Sequence, residues 1–265
     1  MKKLLFLMAV VALVLTGSAK LPAQDEKGIE IRVLYDNYVC VNGDKGLKSD
    51  WGFACLVTGT EKTILFDTGR KGEVFLDNCE NLHVNPKSVQ LAVISHNHDD
   101  HTGGLLPFLE KNGKIAVYLP PSCEKTFIRQ LEDRGAKVVV VAKLVEICKN
   151  VYVTTPTGDD VIEQALVLDT KKGLVVITGC SHPGVAKIAR KAKEELKRDI
   201  YMICGGTHLS QRSEPDVQSA IAGLKELGVK RVGVTHCTGD KAIELFKQAF
   251  GDGYVPMGVG RLLKL

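Results

Sequence analysis

The apolar positions of the chain fall into short runs that polar turns separate. Runs rich in Val, Ile and Leu, with little polar alternation, are typical of strands that are buried on both faces. Such runs alternate with helical spacing along most of the chain, and this order favours an α/β fold. We predict strands over these ranges: Glu30–Leu34, Phe53–Val57, Thr63–Phe66, Val89–Ile94, Ile115–Leu119, Val138–Val141, Ala165–Leu168, Leu174–Ile177, Ile200–Ile203 and Val232–Val234.

Helical patterns between these strands complete the layout. The spacing of apolar residues predicts helices over Glu73–Asn78, Glu124–Asp133 and Ala242–Phe250, the last ended by a glycine. Another helix is expected to begin after Ser213, where a capping side chain precedes an early proline. The basic run Lys187–Arg198 also has helical spacing, and we interpret it as a solvated helix face.

The N-terminal segment has the pattern of a secretory signal peptide. A basic start, Met1–Lys3, precedes the apolar run Leu4–Leu15 and the small residues Gly17–Ala19. We predict a signal peptide over residues 1–24 and one domain over residues 25–265, exported to the periplasm or the cell exterior. The apolar run is too short to span a bilayer comfortably, so no stable membrane insertion is expected after cleavage. The alternative is a buried N-terminal helix.

Charge gives little indication of a macromolecular partner. The chain has 35 basic and 31 acidic residues, a formal net charge of +4. Cleavage near Gln24 would remove Lys2, Lys3 and Lys20, which leaves 32 basic against 31 acidic residues. A nearly neutral chain without a basic stripe is not typical of a nucleic-acid-binding protein. A small-molecule substrate is therefore the expected partner.

The histidines are concentrated where predicted strands end. Six of the seven lie at or just past such an end, where α/β folds place their sites. The exception, His83, reads as a surface loop residue. Imidazole and carboxylate groups together are typical ligands of zinc, iron and manganese. The strand-end residues are His96, His98, Asp100, His101, His182, His208 and His236.

The stretch Ser95–Gly104 contains the pattern H-x-H-x-D-H. His96 and His98 are two residues apart, so in an extended segment both side chains leave the same face. Asp100 and His101 follow after the chain has begun to turn, so they point elsewhere. This division suits two adjacent metal ions better than one. A solvated polar turn is the alternative interpretation.

These residues resemble the metallo-β-lactamase superfamily. The H-x-H-x-D-H pattern follows a strand, and Ile64–Gly69 matches the strand of that superfamily that ends in D-T-G. The resemblance implies an α/β fold, a four-layer αββα metallo-β-lactamase sandwich. The motifs Gly179–Gly184, Gly205–Leu209 and Thr235–Gly239 resemble a narrower subgroup, the 7,8-dihydropterin-6-ylmethyl-4-(β-D-ribofuranosyl)aminobenzene 5′-phosphate synthases, over about residues 30 to 265.

The resemblance implies a metal centre with two divalent ions. Zinc is the expected metal, with iron or manganese as alternatives. Asp67 is expected to lie behind a ligand imidazole and fix its tautomer, although a turn-capping aspartate is an alternative. Asp100 is expected to serve in catalysis as well as metal binding. By match to the superfamily pattern, the first ion takes His96, His98 and His182, and the second takes Asp100, His101 and His236.

The sequence departs from the superfamily pattern at two places. The usual bridging aspartate has no clear counterpart, and Thr207-His208 stands in its place. His208 is therefore a metal ligand, a substrate-facing proton donor, or a hydrogen-bonded core histidine; we favour the proton donor. Without the bridging carboxylate, the second metal site is expected to be weaker. At Asp99 the subgroup often has an aromatic residue instead.

The cysteines are the least decisive signal. The chain has eight, some within apolar runs and some beside ligand positions. Buried free thiols are the main interpretation. A thiolate ligand from Cys180 or Cys237 is the alternative.

We predict an exported metal-dependent hydrolase that uses a metal-activated water on an ester, lactone, amide or phosphoester. The subgroup name implies a different enzyme, a transferase that joins a pterin diphosphate to an aminobenzene ribotide. Those substrates are cytoplasmic, and for that reason the transferase ranks second. The third reading is a metal-binding or redox-sensing module without turnover.

Overall fold

The computed structural model describes residues 28–40 and 46–265. The predicted signal peptide over residues 1–24 lies outside these residues, so it stays a prediction. Two mixed sheets face each other. The first has the strand order β13-β1-β2-β3-β4-β5-β6, and its strands are β1 Glu30–Tyr35, β2 Ala54–Thr58, β3 Ile64–Phe66, β4 Leu91–Val93, β5 Ala116–Leu119, β6 Lys137–Val140 and β13 Leu262–Lys264.

The second sheet has the strand order β12-β11-β10-β9-β8-β7. Its strands are β7 Val145–Cys148, β8 Val151–Val153, β9 Leu166–Thr170, β10 Gly173–Thr178, β11 Ile200–Gly206 and β12 Arg231–Thr235. The chain thus completes most of the first sheet before it begins the second, and only β13 returns.

Helices cover the outer faces of both sheets. α1, α3 and α4 pack on the first sheet, and α5, α6 and α7 on the second. This is the αββα sandwich that the sequence predicts, and the prediction is confirmed. The helices are α1 Gly72–Asn81, α2 Asp99–Thr102, α3 Leu105–Lys111, α4 Lys125–Glu132, α5 Val185–Leu196, α6 Glu214–Glu226 and α7 Asp240–Phe250. No helix among the described residues is both long and apolar enough to cross a membrane.

Three apolar clusters hold the four layers together. The central one lies between the sheets and includes Ile31, Phe66 and Ile177, all fully buried. A second lies under α1 and α3, where the rings of Phe75 and Phe108 meet edge to face. The third lies under α5, α6 and α7. The continuous apolar runs of the central strands follow from burial on both faces.

Parallel strands bring the site residues to one edge of the sandwich. β3, β4 and β5 run parallel in the first sheet, and β10, β11 and β12 run parallel in the second. Their carboxyl ends therefore lie on the same side of each sheet, where α/β folds carry their ligands. The two edges are tied together directly, because the amide of Gln164 donates to the carbonyl of Ser95 at 3.0 Å.

The predicted strands differ most from the structure at the sheet margins. β7, β8 and β13 are short edge or near-edge strands whose patterns do not stand out from turns. β11 continues past its predicted end at Ile203 to Gly206, because Gly205 and Gly206 pair with the neighbouring strands. Gly206 must be a glycine, since a Cβ there would lie 2.7 Å from Cys237 Sγ. This extension carries the chain into the site.

Candidate metal centre

Four buried or partly buried imidazoles are held by hydrogen bonds at Nδ1. In each case the partner is an oxygen that accepts, so Nδ1 carries a proton and Nε2 is the atom left to bind a metal. The pairs are His96 with Ser95 Oγ at 2.8 Å, His101 with Asp67 Oδ2 at 2.7 Å, His236 with Asn37 Oδ1 at 2.8 Å, and His182 with Glu163 Oε1. The tautomer that this fixes is the one that a metal ligand needs.

The first ligand group consists of His96, His98 and His182, whose ligand atoms all lie within 4.8 Å of one another. His96 is fully buried, and its Nε2 has no hydrogen-bond partner among the described residues. Such an orphaned buried nitrogen is costly unless a ligand satisfies it. Burial lowers the pKa of His96 well below its ordinary value, so the ring is neutral. These residues fit a divalent cation.

The second ligand group consists of Asp100, His101, Cys180 and His236. All four are buried, and their ligand atoms lie within 4.8 Å of one another. Asp100 Oδ2 lies 3.5 Å from His101 Nε2 and 3.3 Å from His236 Nε2. Cys180 was only an alternative ligand in the sequence, because nothing in its spacing relates it to His101 or His236.

The second group is strongly polarised. Burial opposes a charge on both Asp100 and His101. The imidazoles of His101 and His236 outweigh it for Asp100, and the carboxylates of Asp67 and Asp100 outweigh it for His101. The pKa of Asp100 is therefore lowered, and the pKa of His101 is raised to about 10. A carboxylate with a lowered pKa is a good metal ligand and a weak base. The geometry thus favours Asp100 as a ligand over Asp100 as a proton acceptor.

A third group shares one member with the second. Cys180, His208 and Cys237 also bring their ligand atoms within 4.8 Å. The partly exposed His208 places its ring 4.2 Å from that of His182, centroid to centroid. The amide of His208 donates to Cys237 Sγ at 3.3 Å. The six metal-binding residues that the sequence singles out, and His208, therefore lie around one centre.

Asp67 joins the two halves of the site. Its Oδ1 accepts from the amide of Ser95 at 2.7 Å, and its Oδ2 accepts from Ser95 Oγ at 2.7 Å and from His101. Ser95 Oγ in turn accepts from His96. One buried carboxylate thus orients an imidazole of each ligand group, directly in one case and through a hydroxyl in the other.

Glu163 is the residue that sequence reasoning missed. Its side chain is 1% exposed, and Oε1 binds His182 and lies 3.6 Å from His96 Nδ1. Its Oε2 accepts from the amide of Ser181 at 2.7 Å. Glu163 lies in an irregular polar stretch before β9, with no metal-like neighbour in the sequence, so no local signal marks it.

His236 is held by a second set of residues that the sequence did not indicate. Asn37 accepts from its Nδ1, and the buried carboxylate of Asp36 accepts from Thr235 Oγ1 at 2.8 Å. Burial raises the pKa of Asp36 to about 7, although the hydrogen bond from Thr235 acts to lower it. Trp51, 46% exposed, meets the His236 ring at an angle with 5.3 Å between centroids.

The backbone is strained where the ligands are presented. Asp67, Ser181, His208 and His236 all have φ between 53° and 66°. Non-glycine residues with such angles are uncommon and gather at functional sites. Gly179 has a separate requirement, since a Cβ there would lie 2.1 Å from Ser95 Oγ. Four tight turns thus aim side chains at one point.

A cleft of about 220 Å³ opens beside the centre. It reaches the partly buried His182 and is lined by His208 and Arg212, among others. Two residues of the sequence prediction take no part in the centre. Asp99 is exposed and pairs with Arg70 at 3.4 Å, and His83 is exposed on a loop.

Comparison with known proteins shows relatives that match nearly the whole chain. The chain is 28% identical to the 7,8-dihydropterin-6-methyl-4-(beta-D-ribofuranosyl)-aminobenzene-5'-phosphate synthase of Methanocaldococcus jannaschii, over 89% of this chain and 96% of the relative. It is 25% identical to the uncharacterized protein MJ0448 of the same organism, over 88% of this chain and 99% of the relative.

A solved structure gives the same result for the fold. The crystal structure of Tm1679, a metal-dependent hydrolase of the beta-lactamase superfamily, superimposes with a TM-score of 0.76 and 30% identity. The match covers 89% of this chain and 99% of that chain.

These matches correct the functional prediction. The prediction of a hydrolase is wrong, because the curated relative of known activity is a synthase that matches 89% of this chain over 96% of its own length. The physical reason is that the H-x-H-x-D-H pattern determines which groups hold metal but not which bond the centre acts on. Export is not tested by these matches and stays a prediction. The fold and the synthase relative support an enzyme.

The family assignment rests on a match that covers most of the chain. Residues 52–242 match the family model of the metallo-beta-lactamase superfamily, and the solved relative has the same αββα sandwich over nearly its whole length. The resemblance seen in the sequence motifs is thus confirmed. The chain belongs to the metallo-beta-lactamase superfamily.

Proposed function

We propose that the protein is a metal-dependent transferase that joins a 7,8-dihydropterin-6-ylmethyl group to the amino nitrogen of 4-(β-D-ribofuranosyl)aminobenzene 5′-phosphate. The match with the synthase of Methanocaldococcus jannaschii, over 89% of this chain and 96% of the relative, carries the proposal. The buried ligand groups, with one orphaned imidazole nitrogen, support a centre that can hold two divalent cations. Zinc is the proposed metal, with iron or manganese as alternatives.

The reaction is a substitution at the methylene carbon of the pterin. The amino nitrogen forms a bond to this carbon, and the carbon–oxygen bond to a diphosphate leaving group breaks. Diphosphate leaves with the bonding electron pair, and the nitrogen loses one proton. Bound divalent cations would supply positive charge that stabilises the charge on the departing diphosphate.

His208 is the residue we propose to accept the proton from the amino nitrogen. It lines the cleft beside His182, and its imidazole is partly exposed, so it can reach a bound substrate. Three residues already form the first ligand group without it. The sequence favours His208 as a proton donor. In the proposed reaction His208 still transfers a proton, but as the acceptor, because the amine must lose one.

Arg212 and Trp51 suit the two ends of such substrates. Arg212 lines the same cleft as His208, and a guanidinium is well suited to bind phosphate oxygens. Trp51 is the only tryptophan of the chain and is largely exposed against His236. An exposed indole beside the centre can pack on a flat pterin or aminobenzene ring.

The test is the reaction itself. Metal-loaded full-length protein is incubated with the pterin diphosphate and the aminobenzene ribotide, and the coupled product and diphosphate are measured by chromatography and mass spectrometry. We expect the two in equal amounts, and none from the variant His98→Ala. Diphosphate release without coupled product, or no reaction with two bound metal ions, would overturn the proposal.

A further inference from the structure

The outer edge of β6 is an apolar strand edge that nothing in the described part of the chain covers. β6 ends the first sheet, and no strand among the described residues lies beside its outer edge. Lys137 is followed by four consecutive valines, from Val138 to Val141. An apolar edge of this kind is a template for another strand. We propose that β6 pairs with β6 of a second copy of this chain, antiparallel and about a two-fold axis at Val139.

The other three sheet edges are each protected against such pairing. β12 is covered by the chain that follows α7, because the amide of Val255 donates to the carbonyl of Val232 at 2.8 Å. β7 has a bulge beside the exposed Glu146. β13 has three residues and ends in the exposed Lys264. Short length, charge and bulges usually prevent edge pairing, whereas β6 has no bulge and its only charge is on its first residue.

The backbone of β6 directs the hydrogen-bonding groups of two residues outward. The amides of Lys137 and Val141 donate to carbonyls of the segment that contains β5, at 2.9 and 2.8 Å. Because alternate residues of a strand bond to the same neighbour, Val139 also faces β5. Val138 and Val140 therefore direct their N–H and C=O groups away from the sheet, where no strand among the described residues meets them.

These outward groups are complementary to themselves in one register. With the two-fold axis at Val139, Val138 of one copy lies opposite Val140 of the other, and each such pair exchanges two hydrogen bonds. All the outward groups of both valines are then satisfied. Lys137 of one copy lies opposite the apolar Val141 of the other, so no like charges meet. This self-complementarity is the reason to assign a second copy to the edge.

The neighbouring registers are less favourable. An axis at Val140 would bring Lys137 of one copy toward Lys143 of the other, and like charges opposite each other are destabilising. An axis at Val138 would need the amide of Ala136, which already donates to a carbonyl of α4 at 3.1 Å. The axis at Val139 avoids both costs.

The side chains of the edge support the same partner. Val140 is 47% exposed, one of three large hydrophobic residues exposed among those described. In the pair it lies beside Val138, which packs partly against the apolar cluster under α1 and α3. A two-fold interface of this kind closes with two copies, so it uses up the edge and does not propagate into a fibre.

Pairing along β6 leaves both metal centres accessible. β6 runs parallel to β4 and β5, so its carboxyl end points toward the edge of the sheet that carries the site. Antiparallel pairing directs the site edges of the two copies to opposite ends of the dimer. The dimer is therefore independent of the proposed reaction, and a dimer without synthase activity would sink the function alone.

The mass of the full-length protein in solution tests the pairing, by light scattering after size-exclusion chromatography. We expect a dimer for the parent and a monomer for Val140→Pro, which removes an outward N–H that bonds to nothing within β5 and β6. Val140→Thr keeps this N–H and the side-chain shape, so it is the matched control and should stay dimeric. Circular dichroism verifies folding. A monomeric parent would leave the edge to another chain and overturn the proposal, as would a folded Val140→Pro that stays dimeric.

Cysteine cross-linking tests the register without weakening the edge. In Val139→Cys the two new cysteines face each other across the axis, with Cα atoms about 4.5 Å apart, within the range of roughly 4.4–6.8 Å that a disulfide spans. In Val140→Cys they are displaced by two residues, about 7 Å along the strand, and should not react. After mild oxidation with diamide, non-reducing electrophoresis should show a linked dimer for Val139→Cys above the background of the parent. A linked dimer for Val140→Cys alone, or for neither variant, would overturn the proposal.

Discussion

The two ligand groups of this protein share the loops after β4 and β10 but differ in burial and chemistry. The first consists of three imidazoles, two of them partly exposed, and one of these, His182, lines a cleft. The second consists of a carboxylate, two imidazoles and a thiol, all buried. The sequence predicted two equal sets of three ligands. The difference makes the first position the more accessible of the two.

The residues that hydrogen-bond to the ligand imidazoles also differ between the two positions. Glu163 supports the first position, where its carboxylate binds His182 and approaches His96. Asp67 and Asn37 support the second, through His101 and His236. Glu163 therefore serves the first position alone, while Asp67 binds His101 of the second directly and reaches His96 of the first through Ser95. Substitutions at these residues should separate the two positions experimentally.

The largest effect is expected from His98→Ala. The variant leaves the first position with two imidazoles, so bound metal should fall from two ions toward one and coupled product should disappear. Metal analysis and product formation measure both effects, with exposed His83→Ala as the control. Metal content equal to that of the parent would place the first position elsewhere.

His208→Ala should lower the turnover rate by about 10²–10⁴-fold, the usual contribution of general acid–base catalysis, with both metal ions retained. Steady-state kinetics at a fixed pH, together with metal analysis, measure this. Loss of one metal ion would instead make His208 a ligand, and full activity would exclude both roles.

Glu163→Gln and Asp67→Asn should each weaken metal binding by about 10–100-fold, the usual cost of losing a carboxylate behind a ligand histidine. Glu163→Gln acts on ligands of the first position, whereas Asp67→Asn removes the partner of His101 and disturbs His96 through Ser95. Titration of each variant with a chelator, followed by metal analysis of the protein, measures the loss. A metal affinity equal to that of the parent would show that the carboxylate does not support the ligand histidines.

The smallest effect is expected from Trp51→Ala. Loss of a ring-on-ring contact typically costs about 0.5–1.5 kcal/mol, so KM for the pterin substrate should rise several-fold while kcat holds. The parent protein offers a direct signal, since the fluorescence of its single tryptophan should be quenched as substrate binds. Val39→Ala, another exposed apolar position, is the control. An unchanged KM and unquenched fluorescence would remove Trp51 from the binding surface.

Much of the fold followed from pattern alone. The central strands β4 and β10 appear where the apolar runs predict them, because burial on both faces leaves an unbroken run of apolar residues. Two strands at the margins did not show this pattern: β7 has three half-buried positions and one exposed position, and β13 has three residues. A short edge strand depends on its neighbour more than on its own composition.

The sequence by itself determined His96, His98, Asp100 and His101 as candidate ligands, because H-x-H-x-D-H is a local pattern whose geometry follows from one strand end and one turn. Only the tertiary structure decided what surrounds them. Asn37 reaches His236 across 199 positions of sequence, Cys180 reaches His101 across 79, and Glu163 reaches His182 from an unpatterned loop. Such partners carry no periodic or local signal, since their contacts depend on how two separate sheets bring their strand ends to one edge.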